Sequence, residues 1–266
     1  MSGRLVLGAR AVEEALRSGE PIDEVRFAVS RRQSLARLLR RAEAQGVPTT
    51  ETGRKELDSL AGGLRHQGVI ARVRAFAYLS LPELRDTLSP RSLVVALDGI
   101  TDPQNFGAII RSVVALGGAG LIVTKDRAAP LTGAAVRASA GASEHAKIAR
   151  VTNLARSLAE VVDEGVEVVG LAGEASLGLG ELGPIPEAGR VLVVGAEGRG
   201  LRRLVRERCS ALCRIDLPGP IASLNASVAA ALGIYESLRP VREASPGAGV
   251  GSGQRPFPDA SSEDRR

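Results

Sequence analysis

Aromatic residues are scarce in this chain of 266 residues, which has four Phe, two Tyr and no Trp. Because 44% of the residues are hydrophobic, a core is still possible, and it must be built from Leu, Val, Ile and Ala. Only two cysteines are present, Cys209 and Cys213, and the two histidines, His66 and His145, form no zinc-binding pattern with them. We therefore predict no metal site, and we interpret both thiols as small buried hydrophobic groups in a reducing compartment.

Long apolar runs are also absent, since none approaches the roughly 18 residues that a membrane-spanning helix needs. Charged residues appear within the first 14 positions, which argues against a signal peptide. We expect a soluble, cytoplasmic protein without a membrane partner. Lysine is rare too, so that 32 of the 35 basic residues are Arg, and the net charge is +5. A basic balance favours a polyanionic partner such as nucleic acid, although a genome rich in Arg codons would produce the same skew.

Strand and helix patterns alternate over the first 75 residues. Strand patterns occur at 5–7, 25–29 and 68–73, and helical patterns at 10–18 and 32–45. The second helix is rich in Arg, which is typical of a solvated face but also suits contact with a phosphate backbone. We predict a small α/β domain at 1–75 whose Arg-rich helix suits a nucleic-acid partner. A linker at 76–90, or a short helix there, follows, and Pro82 and Pro90 interrupt regular structure in it.

A second α/β pattern covers residues 91–240. The apolar run 92–97 is typical of a strand that is buried on both faces. Further strands are predicted at 119–124, 145–149, 166–171, 190–195 and 211–217, and helices at 107–117, 130–140, 153–164, 200–208 and 224–238. Such alternation predicts an α/β fold with a mostly parallel sheet covered on both faces. Residues 241–266 are rich in Gly, Pro, Ser and charge, so we predict a disordered tail.

One glycine motif excludes a function. Residues 178–183 spell G-x-G-x-x-G, but the dinucleotide fingerprint needs a helix immediately after it. Pro184 and Pro186 follow within three residues, so no helix can start there and we predict an ordinary loop. A P-loop lysine pattern is also absent, which argues against phosphoryl transfer.

Three segments that follow predicted strands contain polar residues in otherwise apolar surroundings. The first, residues 98–111, reads DGITDPQNFGAIIR and places Asn105 and Arg111 near the edge of the sheet where ligands bind. Asn105 has a simpler interpretation as a helix N-cap. Arg111 lies among isoleucines and valines, so it either has a function or forms a salt bridge that staples the helix.

The other two segments follow later strands. Residues 191–201 end a buried strand in a glycine-rich turn, where Glu197 is a plausible partner for Arg111 and the glycines would let a ligand approach the backbone. Residues 215–227 contain a Pro-Gly-Pro loop and then Ser223 and Asn225 near the start of an apolar helix. Either residue could cap that helix, and Asn225 could instead bind a polar ligand. Each segment alone is ambiguous.

Together the three segments resemble a known family. The order and spacing of N-x-G-x-x-x-R, G-A-E-G-x-G and S-L-N-x-S are similar to those of the SpoU/TrmH branch of the SPOUT methyltransferases, over roughly residues 91–239. His66-Gln67-Gly68-Val69 and the opening Gly8-Ala9-Arg10-Ala11-Val12 resemble the ribosomal-protein-like RNA-binding domain of one subgroup. That subgroup includes the enzymes that methylate a guanosine 2′-oxygen in 23S ribosomal RNA.

The resemblance implies an RNA 2′-O-methyltransferase that uses S-adenosyl-L-methionine, has a C-terminal trefoil knot and forms a homodimer. The implied catalytic residues are Arg111, Asn105, Glu197, Ser223 and Asn225, with Arg111 as the main one and Glu197 orienting it. The implied cofactor-binding residues are Leu171, Ala172, Gly173, Val194, Gly195, Gly198, Ile215, Leu217 and Leu224. Asp216 and Leu217 depart from relatives, which often have Pro and Met there, so we expect the adenosine pocket wall to differ locally.

Three alternatives stay open. Large-subunit ribosomal RNA is favoured as the partner, and transfer RNA is its main rival, because specificity in RNA recognition comes from shape and splayed bases. A catalytically silent RNA-binding protein of the same fold is the second alternative, and the presence of Arg111 and Asn225 argues against it. A nucleotide-dependent oxidoreductase would need a correctly placed glycine fingerprint, which the sequence lacks.

Overall fold

The computed structural model describes residues 3–17, 19–74 and 76–244, and these residues form two separate sheets. The N-terminal part contains β1 (Arg4–Leu7), α1 (Ala9–Arg17), β2 (Ile22–Ala28), α2 (Ala36–Ala44), β3 (Thr49–Thr52), α3 (Arg54–Leu60) and β4 (Val69–Val73). Its strand order is β1-β4-β2-β3, with β4 antiparallel to both neighbours and β3 parallel to β2. Buried residues such as Val12, Val25 and Leu39 give this part its own apolar core.

The second sheet is seven-stranded within the described residues. Its strands are β5 (Leu93–Asp98), β6 (Gly120–Thr124), β7 (Ile148–Val151), β8 (Glu167–Leu171), β9 (Leu177–Gly178), β10 (Arg190–Gly195) and β11 (Ala211–Arg214). The helices are α4 (Leu81–Arg85), α5 (Pro103–Leu116), α6 (Gly133–Ala138), α7 (Leu154–Asp163), α8 (Arg203–Arg206) and α9 (Ala226–Ala244). The strand order is β7-β6-β5-β10-β8-β11-β9, and every neighbouring pair is parallel.

The central strands of this sheet are buried on both faces. Every residue of β5 and of β6 is buried, because an apolar cluster covers each side of the sheet. One cluster includes Ile109 of α5 and Ile234 of α9, and the other includes Leu84 of α4 and Leu158 of α7. The predicted small N-terminal α/β unit followed by a parallel sheet is therefore confirmed, whereas the knot stays a prediction.

Several elements start or end elsewhere than the sequence patterns predict. Helix α5 starts at Pro103 and not at residue 107, because the Asp102 carboxylate caps it by accepting bonds from the backbone N–H groups of Gln104 and Asn105, each at 3.2 Å. Asp102, and not Asn105, is thus the N-cap. The patterns also do not predict β3 and α3. Strand β3 has one buried residue, so it shows no apolar alternation.

Two predicted irregular segments are partly regular. Within residues 178–183, Gly178 ends β9 and a 3-10 helix covers Leu179–Glu181, and no α-helix follows directly. Helix α9 continues to Ala244, so predicted disorder at 241–244 is wrong, and residues 245–266 lie outside the described part of the chain. Neither α9 nor any other helix within the described ranges is long and apolar enough to cross a membrane.

The two cysteines lie in apolar surroundings, as predicted. Cys213 on β11 is fully buried, and Cys209 is half-buried after α8. Burial raises the pKa of each thiol to about 11, so both stay protonated at neutral pH and act as small hydrophobic groups. The residues that the structure describes contain no group of three or more His, Cys, Asp or Glu side chains that could hold a metal ion.

Gly107 provides a test of the packing between α5 and α6. A Cβ atom there would lie 2.3 Å from the carbonyl oxygen of Ala135 and 2.5 Å from the Cβ of Ala138. We expect Gly107→Ala to force the helices apart and to lower the free energy of unfolding by about 1–3 kcal/mol, the usual cost of overpacking. Gly183→Ala is the control, because its added Cβ meets no atom within 4 Å. Urea unfolding measures both, and a Gly107→Ala protein as stable as the parent contradicts the prediction.

Candidate active site

Three strands of the larger sheet, β5, β10 and β11, end in the segments that carry the polar motifs. Strands β5, β10, β8 and β11 are adjacent and parallel, so their carboxyl ends meet at one edge. Strand β5 leads into α5, β10 leads into the turn at 196–200, and β11 leads through residues 215–225 into α9. Segments far apart in the sequence thus meet at the edge where parallel α/β sheets bind ligands.

Three of the predicted catalytic side chains are joined by hydrogen bonds at this edge. The Glu197 Oε1 atom accepts bonds from Asn105 Nδ2 at 2.9 Å and from Asn225 Nδ2 at 2.7 Å. The same Asn225 nitrogen donates to Asn105 Oδ1 at 2.9 Å. The backbone N–H of Ala226 also donates to Glu197 Oε1, at 3.3 Å. One residue from each motif therefore takes part in a single polar cluster.

Asn225 has a second role as the cap of α9. Its Oδ1 atom accepts bonds from the backbone N–H of Ser227 at 2.9 Å and from the Ser227 hydroxyl at 2.6 Å. This is the bond that an N-cap side chain makes to the first turn of a helix. Ser223, two residues earlier, is exposed and is not the cap. The cap therefore fixes the side chain of Asn225 before any ligand binds.

The expected pairing of Glu197 with Arg111 does not form. The Glu197 carboxylate bonds to the two asparagines, whereas Arg111 is exposed on α5. Across the described ranges Arg111 has neither a hydrogen bond nor an ion pair. The helix buries Ile109, Ile110 and Val113 instead, so an Arg in an apolar stretch faces water without needing a partner. The salt-bridge interpretation of Arg111 is wrong for the same reason.

Asp98 is a polar residue to which the sequence patterns assign no role. Its side chain is fully buried at the end of β5, and it accepts bonds from the backbone N–H of Arg202 at 2.7 Å and from Arg202 Nε at 2.5 Å. A buried carboxylate is costly unless it is paired in this way. Asp98 therefore ties the end of β5 to the chain that leaves the turn after β10.

A cavity of about 290 Å³ opens at the same edge. Its wall includes all nine residues that the family resemblance implies for the cofactor, namely Leu171, Ala172, Gly173, Val194, Gly195, Gly198, Ile215, Leu217 and Leu224. Glu197 and Ser223 line it as well, whereas Asn105, Arg111 and Asn225 do not. Three charged lining residues are not predicted, Glu174, Arg199 and Arg206, because the sequence does not reveal which surface arginines face a cavity. Arg206 forms an ion pair with Glu174.

The turn after β10 requires glycine. A Cβ on Gly195 would lie 2.3 Å from the carbonyl carbon of Gly200, and Gly198 and Gly200 have φ angles of 75° and 62°. The Gly200 N–H donates to the Ala196 carbonyl at 2.9 Å, which closes the turn. Backbone atoms therefore form one wall of the cavity, which suits a ligand that is recognised by main-chain groups.

The two positions that depart from relatives lie differently. Asp216 is exposed and accepts a bond from Arg214 Nε at 2.8 Å, and it does not line the cavity. Leu217 does line it and adds an apolar group. The expected local change in the wall therefore comes from Leu217 and not from Asp216.

The two N-terminal motifs of the family resemblance meet in one turn. His66 is buried, with Nε2 at 2.8 Å from Asp58 Oδ1 and Nδ1 accepting from the Gly68 N–H at 3.2 Å. Gly8 donates its N–H to the Val69 carbonyl at 3.0 Å. These hydrogen bonds hold the turn that leads into β4, so His66, Gly68 and Gly8 have a structural role. The neighbouring Arg31, Arg32, Arg37 and Arg40 are exposed.

A pair of double-mutant cycles tests the connections of Glu197. We expect Glu197→Ala to lower the free energy of unfolding by about 1 kcal/mol, because Asn105 and Asn225 lose their acceptor. The cycle of Glu197→Ala with Arg111→Ala should be additive, and the cycle with Asn225→Ala should not, since only the second pair is in contact. Denaturant unfolding of the single and double variants measures both. Coupling of Glu197 to Arg111 that exceeds its coupling to Asn225 disproves the arrangement.

Family models match both parts of the chain. The SpoU rRNA Methylase family model matches residues 92–235, and the model described as RNA 2′-O ribose methyltransferase substrate binding matches residues 5–79. The chain is 40% identical to the 23S rRNA (guanosine-2′-O-)-methyltransferase RlmB of Photobacterium profundum, over 90% of this chain and 98% of that protein. It is 41% identical to an uncharacterized tRNA/rRNA methyltransferase of Mycobacterium ulcerans, over 88% of this chain and 76% of that protein.

Solved structures agree with these matches. The SpoU methyltransferase AviRb from Streptomyces viridochromogenes, in complex with the cofactor AdoMet, superposes with a TM-score of 0.61 at 25% identity, over 90% of each chain. The rRNA methyltransferase of Sinorhizobium meliloti with bound AdoMet gives a TM-score of 0.57 over 89% of this chain and 87% of that one. With the motifs, both parts of the fold and the extent of these matches in agreement, the chain belongs to the SpoU rRNA methylase family.

Proposed function

We propose that this protein transfers a methyl group from S-adenosyl-L-methionine to the ribose 2′-hydroxyl of a guanosine in 23S ribosomal RNA. The observation that carries the proposal is the hydrogen-bonded cluster of Asn105, Glu197 and Asn225 next to a cavity with a glycine wall. The relative from Photobacterium profundum has this activity in its name, and the similarity extends over 98% of its length. The substrate-binding part and the catalytic part are both included, which favours the same substrate class.

The cavity suits the cofactor by its chemistry. Leu171, Val194, Ile215 and Leu217 provide apolar walls for an adenine ring, and Gly195 and Gly198 contribute main-chain atoms to the same wall. Gly173 has free space around it, so the wall leaves room for a ligand there. When bound, S-adenosyl-L-methionine supplies a methyl group that is already activated on a sulfonium.

The chain's own residues would position the 2′-hydroxyl and assist its loss of a proton. Arg111 is exposed and has no anionic partner in the described ranges, so its guanidinium is free to bind an RNA phosphate and to stabilise charge on the 2′-oxygen. It would not act as a base, because a guanidinium is not deprotonated in proteins. Arg111 thus has an electrostatic role in the transition state.

The other polar residues divide between contact and support. Both N–H groups of the Asn225 amide already have acceptors, in Glu197 and Asn105. Ser223 is exposed at the cavity wall, so its hydroxyl is the better donor to the ribose or the phosphate. Glu197 would hold Asn105 and Asn225 in place, and the asparagines would shape the floor on which the ribose lies.

The first 75 residues would bind RNA and take no part in the chemistry. Arg31, Arg37 and Arg40 are exposed on one stretch of the N-terminal part, and such a stretch can follow a phosphate backbone. None of the three catalytic motifs lies in this part of the sequence. The protein would act in the cytoplasm, as we infer from the bacterial relative that is named for methylating 23S rRNA.

A homodimer would form through α9. Val228, Leu232 and Tyr235 recur at helical spacing and are 46%, 42% and 52% exposed. Exposed apolar residues on one face of a helix mark an association surface, and two identical copies can cover such a face by twofold contact. Because Asn225 caps α9, the second copy would border the polar cluster.

Transfer RNA is the second candidate substrate, because the mycobacterial relative has tRNA as well as rRNA in its name. Mapping of ribose methylation in total RNA, with and without the protein, separates the two substrates. A catalytically silent RNA-binding protein would leave both maps unchanged. Oxidoreductase activity is not favoured, because no helix opens directly after Gly183 to bind a dinucleotide.

Gly173 allows a direct test of cofactor binding. A Cβ atom added there would meet no atom within 4 Å, so a larger side chain starts in open space at the cavity wall. We expect Gly173→Leu to fold normally and to bind S-adenosyl-L-methionine at least about tenfold more weakly, because the leucine occupies ligand volume. Gly183→Leu is the matched control away from the cavity and should bind normally. Titration calorimetry measures both, and equal affinity in the two variants disproves this cavity as the cofactor site.

Arg111 provides the test of the chemistry. We expect Arg111→Ala to lower the single-turnover methylation rate about 100-fold or more, while thermal stability and cofactor affinity stay unchanged, because an exposed unpaired side chain contributes little to the fold. Arg111→Lys should also be inactive, since an ammonium lacks the planar fork that a phosphate needs. Arg156→Ala on α7 is the control for an exposed helical Arg. A folded Arg111→Ala protein with a near-normal rate removes Arg111 from the site.

A further inference from the structure

A second cavity lies between the N-terminal sheet and the carboxyl edge of the larger sheet. Its volume is about 630 Å³, more than twice that of the cavity beside Glu197. Arg4 and Arg74 line it from the N-terminal side, and Lys125 and Arg150 line it from the ends of β6 and β7. Phe76 and Tyr78 of the connecting segment close its base. We call this space the interdomain cleft.

The cleft contains a pair of aromatic side chains that are in contact, in a chain that has six aromatic residues. The ring centroids of Phe76 and Tyr78 are 5.0 Å apart with the planes at 72°, which is an edge-to-face pair. The Arg150 guanidinium lies 5.0 Å from the centroid of the Tyr78 ring. Tyr78 is held in place because its hydroxyl accepts a bond from the Leu131 N–H at 3.3 Å. Arg150 is exposed, so one face of its planar guanidinium lies over Tyr78 and the other face is open to solvent.

The cations of the cleft differ in how far they are neutralised. Arg4 is paired with Glu20, and Arg74 is paired with Asp23 at 2.7 Å. Lys125 and Arg150 have no carboxylate partner in the part of the chain that the structure describes, although Arg150 donates to the Lys125 carbonyl at 3.3 Å. Glu20 is the single acidic side chain in the lining. Lys125 and Arg150, which have no carboxylate partner among the described residues, therefore face the same space as the aromatic pair.

The cleft is connected to the catalytic loops through short contacts. The Ala129 N–H donates to the Ile100 carbonyl at 2.8 Å, which ties the wall of the cleft to the loop that precedes α5. Thr132, another lining residue, precedes α6, and α6 packs against Gly107 of α5. The polar cluster and the cleft thus flank the same loop. An RNA strand with one ribose at the cluster has the cleft on the other side of this loop.

We propose that the interdomain cleft binds an unpaired nucleotide of the substrate RNA, next to the methylated one. The base stacks on the Arg150 guanidinium, which Tyr78 supports, and Lys125 binds the adjoining phosphate. This combination of a flat cation on an aromatic ring with a nearby point charge is how proteins hold single-stranded RNA without a base-pairing code. The inference rests on the proposed action on RNA, and it adds a site outside the three catalytic motifs.

The test uses the full chain and a fluorescein-labelled single-stranded oligoadenylate, with binding followed by fluorescence anisotropy. We expect Lys125→Ala and Arg150→Ala each to weaken binding about tenfold, which is the usual size of one stacking or phosphate contact. Arg150→Lys keeps the charge but not the plane, so it should weaken binding as well. Lys147→Ala is the matched control, since this exposed lysine removes the same charge outside the cleft and should bind as the parent does.

Two further readouts separate stacking from plain charge. Lys125→Ala should reduce the slope of log affinity against log salt by about one, whereas Arg150→Lys should leave that slope unchanged. Ultraviolet crosslinking of oligouridylate should attach RNA to the segment that contains Phe76 and Tyr78, as mapped by mass spectrometry. Tripolyphosphate and unlabelled RNA are compared as competitors for the labelled oligonucleotide. If tripolyphosphate displaces it equally effectively, the cleft is a simple anion site and the proposal is wrong.

The remaining outcomes are also decisive. If the Lys125, Arg150 and Lys147 variants bind RNA equally and no crosslink forms near Tyr78, the proposed RNA site in the cleft is wrong. The proposed function survives that outcome as long as S-adenosyl-L-methionine binding and methyl transfer are still observed. If the parent protein does not bind S-adenosyl-L-methionine at all, the proposed function is contradicted instead. Should Arg150→Ala fail to fold, Lys125→Ala keeps the test valid, because the Lys125 side chain is exposed and unpaired within the described residues.

Discussion

A single carboxylate oxygen, Glu197 Oε1, holds together the three loops on which the site depends. The loops come from the ends of β5 and β10 and from the start of α9, and among the described residues no strand pairing connects them beyond the sheet edge. Each hydrogen bond to an exposed carboxylate contributes little by itself, about 1 kcal/mol. Together they position the loops relative to one another, because all three bonds share one acceptor oxygen.

Rigid features below this oxygen support the arrangement. The buried Asp98 carboxylate fixes the chain at Arg202, and the contact of Gly195 with Gly200 leaves no room for a side chain in the turn between them. Glu197 lies inside that turn, so its position is set by the backbone and not by its own rotamer alone. Arg111, by contrast, is attached to the cluster only through its helix. A cation that has no partner among the described residues, such as Arg111, is suited to a ligand that brings its own negative charge.

The sequence predicts the framework well because buried parallel strands leave a strong pattern. The continuous apolar runs 93–97 in β5 and 191–194 in β10 have few other interpretations, and polar residues soon after them indicate the ligand edge. Strand β3 is missed because it is short and solvated on most of its length. The partner of Glu197 is mispredicted because spacing along α5 tells which residues share a helix but not which face is turned to water. Asp98 has no pattern of its own, since its role appears only when Arg202 is brought beside it.

Strand order has a consequence for the way in which the protein is made. Leu93 of β5 pairs with Arg190 of β10, about a hundred residues later, whereas the N-terminal sheet closes within residues 4–73. Contacts of long sequence separation form slowly, and a chain emerging from a ribosome must wait for the later strand. The N-terminal part can therefore be complete while β5, already paired with β6, still lacks β10 on its other side. Asn225 joins Glu197 after both, so the polar cluster is completed as one of the last events of synthesis.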